Sequence, residues 1–144
     1  MTTWLDGIFS RGGGAVAEKV AAFAEARNAV LADNIANIDT SNYKTKDLPM
    51  AEFQQTLAAA IEQSDQTGGP LELSPTRHIQ VDSSGTVSFE PVETQDNILF
   101  HDRGDRSIEK EMSELAKNQM LYQVAISVLQ KQNGTLAAAI AEHL

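Results

Sequence analysis

The residues able to do chemistry in this chain are few and scattered. His78, His101 and His143 stand far apart in sequence, and none falls in a metal-binding pattern such as HExxH. Asp96, Asp102 and Asp105 bracket His101 without the spacing of a calcium loop. Glu109, Glu111 and Glu114 offer paired carboxylates, but a solvated helix face accounts for them more simply. Gly12 to Gly14 follow no strand and lack the lysine of a phosphate loop, so they read as a flexible joint. Arg103-Gly104-Asp105 spells an adhesion tripeptide, too short a match to carry weight. There is no cysteine, which removes thiolate chemistry and disulfides. No nucleophile, base and orienting group assemble, so the expectation is a non-enzyme without metal, cofactor or small-molecule substrate.

Charge narrows the choice further. The 144 residues carry 11 Lys and Arg against 20 Asp and Glu, a net charge of −9. Such a chain repels phosphate backbones and anionic lipid, which argues against nucleic acid or a membrane surface as partner. The acids are concentrated in residues 39–106, with twelve acids and five bases, while the flanking stretches are near neutral. The start, Met1 to Phe9, has no basic region and no apolar run of signal length, so no cleaved secretory signal is expected.

The near-neutral stretches are the periodic ones. Steps of four and three from Ile108 reach Met112, Leu115, Gln119, Tyr122, Ile126, Leu129, Asn133, Leu136, Ile140 and His143. Eight of these eleven positions are apolar or Tyr, which predicts a coiled-coil seam along a C-terminal helix. Ser107 is its expected N-cap, and Gly134 its weak point. Residues 15–38 are Ala-rich with Val16, Val20, Phe23, Leu31 and Ile35 at helical spacing. Neither helix buries enough apolar area alone, so each needs a partner. Between them, Pro49 through Ile61 predicts a short amphipathic helix, stopped by Gly68-Gly69-Pro70. His78–Val81 and Thr86–Phe89 alternate around Asp82-Ser83-Ser84-Gly85 as a small hairpin, and residues 90–106 read as an extended linker.

The fold class is therefore mainly α: long N- and C-terminal helices pairing as a coiled coil, with a short helix and a small β-hairpin or extended segment between. Four segments follow: a flexible 1–14, an N-terminal helix and turn over 15–47, an irregular acidic middle over 48–106, and a C-terminal helix over 107–144.

One segment is more specific than the rest. Leu31 to Asp47 reads LADNIANIDTSNYKTKD, an apolar helix end running into a polar turn and a Tyr-Lys pair. Asn34 and Asn37 lie on one helix face, where their amides can bond backbone groups of the turn or of an adjacent subunit. Asp39 and Thr40 can take up the last helical orphans, and Asn42 tolerates a left-handed backbone. Tyr43 supplies a ring with a polar tip, suited to a contact surface.

This segment resembles the N-terminal signature of flagellar rod and hook proteins, in which Asn-Ile-Ala-Asn leads through Thr-Pro-Gly to Tyr-Lys. Leu31, Asn34, Ile35, Ala36, Asn37, Thr40, Tyr43 and Lys44 fall on that pattern, with Ser41-Asn42 replacing Pro-Gly. The short chain, Thr76-Arg77-His78-Ile79, and Ile108 to Gln123 (IEKEMSELAKNQMLYQ) are similar to the flagellar basal-body rod protein family, nearest its proximal-rod members. The resemblance implies a structural subunit exported by the flagellar type III system and assembled in the periplasmic rod of the basal body. It implies polymerisation through both terminal helices, with itself, other rod proteins, the inner-membrane ring and export-gate components as partners. Another axial rod paralogue and a soluble helical adaptor are the competing readings.

Overall fold

The computed structural model describes residues 13–94 and 105–141. Helix α1 runs Gly13–Ala36, helix α2 Met50–Thr67, and helix α3 Asp105–Ala141. Strands β1 (Lys46–Asp47), β2 (Ile79–Val81), β3 (Val87–Phe89) and β4 (Val92–Glu93) fall between them. The expectations placed on residues 1–12, Asp96, His101 to Gly104 and His143 lie outside the described residues.

Two long helices pack antiparallel and carry the small elements on one flank. The register is set by three cross-helix contacts: Gly14 lies against Gln132, Asn118 bonds the Ala24 carbonyl, and Arg27 meets Glu114. Helix α1 begins at Gly13, so the expected glycine joint is in part helical. A Cβ at Gly14 would lie 1.9 Å from the Gln132 carboxamide oxygen, so a larger residue there would displace the end of that side chain.

Helix α2 matches its sequence signals. Its C-cap, Gly68, is left-handed at φ 66° and donates its N–H to the Ser64 carbonyl at 2.8 Å. Phe53, Leu57 and Ala60 recur at i, i+4 and i+7 and are buried against α1 and the hairpin. Phe23 of α1 stacks on Phe53 at 4.1 Å, and Phe89 of β3 meets both rings edge-on at 5.2 and 5.9 Å. This aromatic triangle ties together three elements that are distant in sequence.

Strands β2 and β3 pair antiparallel in register Ile79 with Phe89 and Val81 with Val87. The Asp82 carboxylate accepts bonds from the Ser84 and Thr86 backbone amides at 2.8 and 2.9 Å, and Gly85 turns at φ 80°. The expected linker begins differently: β4 pairs antiparallel with β1, setting Lys46 against Glu93 and Asp47 against Val92. Two residues per strand are too few for an alternating pattern to be visible in the sequence.

The C-terminal helix is rotated from its expected setting. The row turned towards α1 contains Glu111, Glu114, Asn118, Leu121, Ala125, Val128 and Gln132, all buried or half-buried. It runs one residue ahead of the predicted seam. Of that seam, Ile108, Leu115, Ile126 and Leu129 are half-buried, while Met112, Gln119, Tyr122, Asn133, Leu136 and Ile140 are exposed. The reason is chemical: Glu111 and Asn118 find bonding partners on α1, so the apolar row is displaced to the flank. Glu111 is buried and Glu114 half-buried, which corrects the solvated-face reading of these acids. Helix α3 starts at Asp105, so Ser107 is not its N-cap, and it continues through Gly134.

Candidate functional site

The signature turn is held by a single amide. Asn34 is 1% exposed, and its Nδ2 donates to the Lys46 carbonyl at 2.7 Å and to Glu111 Oε2 at 2.8 Å. Its Oδ1 accepts from the Lys46 N–H at 3.0 Å and from the Tyr43 hydroxyl at 3.2 Å. Both donors and both acceptor positions are therefore used. One side chain on α1 joins the chain beyond the turn and a buried carboxylate on α3.

The backbone of the turn is built to deliver those partners. Thr40 N–H bonds the Asn37 carbonyl at 2.9 Å and Tyr43 N–H bonds the Thr40 carbonyl at 3.1 Å. Asn42 sits at φ 63°, the left-handed conformation an asparagine tolerates best after glycine. Asn37 serves a different end from Asn34, donating to the Asp33 carbonyl of its own helix at 2.9 Å.

Arg27 forms the second tie, two helical turns earlier. Its Nε and Nη2 donate to the two Asp47 oxygens, each at 2.7 Å, and Nη2 reaches Glu114 Oε2 at 3.1 Å. This is the forked geometry that a guanidinium makes with a carboxylate. The Asp47 hydrogen bond is the main cause that raises Arg27 above its usual range, against the opposing effect of burial. Lys117, then Arg27, hold Glu114 below the usual carboxylate range, again against desolvation. Burial, chiefly, raises the Tyr43 hydroxyl.

The remaining signature residues divide by position. Leu31 is buried, Ile35, Asn37 and Tyr43 are half-buried, and Ala36, Thr40 and Lys44 are exposed. Lys44 pairs with Glu93 at 2.8 Å across the exposed side of β1 and β4. The Arg-His-Ile element is also anchored, since His78 Nδ1 lies 2.8 Å from Glu52 Oε2 and the Thr76 hydroxyl donates to the other oxygen. The Thr76 hydrogen bond and then that of His78 lower Glu52 to about 2. Among the described residues no group of three His, Asp or Glu could hold a metal ion.

Sequence reading missed Arg27, Asp47 and Asn118 as interior groups, and it took Glu111 and Glu114 for a solvated face. A signal existed: Val20, Arg27 and Asn34 repeat at seven on α1, as do Glu111, Asn118, Ala125 and Gln132 on α3. A polar residue sharing a heptad row with buried apolar ones is a candidate for a paired interior group.

This is a framework that fixes geometry: a helix pair locked at one end to a polar turn through Asn34 and Arg27. Residues 22–44 match the family described as Flagella basal body rod protein. The chain is 35% identical over 112 residues to the flagellar basal body rod protein FlgB of Bacillus subtilis (strain 168), covering 77% of each chain. It is 29% identical over 116 residues to FlgB of Aquifex aeolicus (79% of this chain and 81% of that one). With FlgB of Salmonella typhimurium it shares 26% over 107 residues, covering 74% and 76%. No solved structure matches the chain. The chain belongs to the flagellar basal body rod proteins, and the relatives it matches there are FlgB proteins. It is accordingly a structural component of the basal body.

Proposed function

We propose that the chain is a structural subunit of the proximal rod, that it leaves the cytoplasm through the flagellar type III export system, and that it performs no reaction. It polymerises through its terminal helices with itself and with other rod proteins, next to the inner-membrane ring and the export gate. The observation that carries this reading is the Asn34 hub. It welds the signature turn to both long helices, so that a torque-bearing subunit presents them in one fixed orientation. The exposed Thr40 and Lys44 of the turn, and the exposed Met112, Tyr122, Leu136 and Ile140 of α3, are assembly contacts. Deleting the gene and counting rods by electron microscopy of purified basal bodies tests this. Loss of rods, restored by the intact gene, is expected. Normal rods in the deletion strain would overturn it.

A further inference from the structure

Among the described residues, the exposed large hydrophobic side chains all lie on α3. From Leu115 to Ala141 that helix contains no acid and two bases, Lys117 and Lys131, in a chain of net charge −9. A helix meant to stay in water in so acidic a protein would carry acids of its own. One row joins both bases to two of those apolar residues: Ser113, Lys117, Met120, Val124, Ser127 and Lys131 recur in steps of four and three, and all are exposed.

Helix α1 carries a row of matching period and opposite charge. Glu18, Ala22, Glu25, Ala29, Ala32 and Ala36 recur in steps of four and three, all exposed or half-buried, with exposed Asp33 beside them. We propose that the α3 row of one subunit receives the α1 row of a second copy of this chain, a proposal that rests on the rod-subunit reading and adds which faces meet. Read antiparallel, the two alternations coincide. Lys131 meets Glu18, Val124 meets the stem of Glu25, Met120 meets Ala29, and Lys117 comes beside Ala32 and Asp33.

The pairing cannot occur within one subunit. There, α1 and α3 already face each other through other rows, in which Asn118 bonds the Ala24 carbonyl and Arg27 meets Glu114. Lys117 touches Glu114 at 2.8 Å within its own helix and keeps two further donors for the neighbour. The Ser127 hydroxyl turns back to the Gln123 carbonyl, leaving a small surface there opposite Ala22. Because the contact uses different faces on the two copies, it can pass from subunit to subunit, making a ring where the rotation closes and an open helix where it does not.

The absence of cysteine makes the test direct. Cells lacking the native gene would express a mixture of Ala29→Cys and Met120→Cys chains, and isolated basal bodies would be oxidised. A disulfide-linked dimer is expected, at least about tenfold more abundant than when Gln123→Cys replaces Met120→Cys. No excess over that control, in basal bodies that contain the chain and have rods, overturns the proposed faces while leaving the rod reading intact. Rods that lack the chain altogether refute the rod reading itself. Independently, Glu18→Lys should reduce rod number at least about tenfold, and adding Lys131→Glu should restore it. Unchanged rods with Glu18→Lys, or no rescue by the double variant, would also overturn the proposal.

Discussion

The helix pair has two ends of different character. Val16, Val20 and Phe23 of α1 share one hydrophobic cluster with Phe53, Leu57, Ala125 and Ile79 of the hairpin. Around Arg27 and Asn34, the contacts with α3 are an ion pair and an amide–carboxylate bond, and Asn118 adds a third polar contact between the two ends. Apolar burial stabilises without choosing a unique alignment, since Ala, Val and Leu slide past one another at modest cost. A buried polar group is tolerated only where its partner stands opposite, so it penalises every other register. The apolar end supplies cohesion and the polar end alignment.

That contrast can be broken from either side. The largest loss is expected from Phe23→Ala, which empties the centre of the aromatic triangle and should cost about 3–5 kcal/mol in denaturant unfolding. Arg27→Ala follows, at about 2–3 kcal/mol, because it strands Asp47 and Glu114 at the half-buried seam. Asn34→Leu should cost about 2 kcal/mol by leaving Glu111 buried without its amide. The double variant N34L/E111L sharpens the comparison: it should recover about 1 kcal/mol, since no charge is then left buried. Its helix pairing should nonetheless become less uniform, visible as broadened side-chain NMR signals.

Acid should act at the other side of α2. Glu52 is depressed to about 2 in the folded chain, by the Thr76 hydroxyl first and His78 second. Its contribution is therefore present above the unfolded value near 4.5 and disappears as pH falls towards 2. Glu52→Gln should flatten the stability profile in that window. The smallest effect is expected at Lys44→Ala, whose exposed pair with Glu93 should leave the unfolding midpoint unmoved.

Much of the architecture was legible in the residues. Gly68-Gly69-Pro70 stops α2, the Asp82 to Gly85 turn joins β2 and β3, and Asn42 takes the left-handed position, each through local backbone chemistry. Asn34 was visible as a turn-facing amide, though not as the link to α3. Strands β1 and β4 were hidden, because their pairing joins only Lys46 with Glu93 and Asp47 with Val92, far apart in the chain, and leaves no periodic trace. Arg27 was hidden by its neighbours: a single base in an Ala-rich helix looks solvated until the acids that hold it are brought near.

Local chemistry thus settled by itself where the main helices run, how the turns close and which segment carries the rod signature. Folding in three dimensions decided which side of the last helix is covered. Helical spacing constrains residues along one helix only, whereas burial depends on whether the facing helix offers a donor to Glu111 and an acceptor to Asn118.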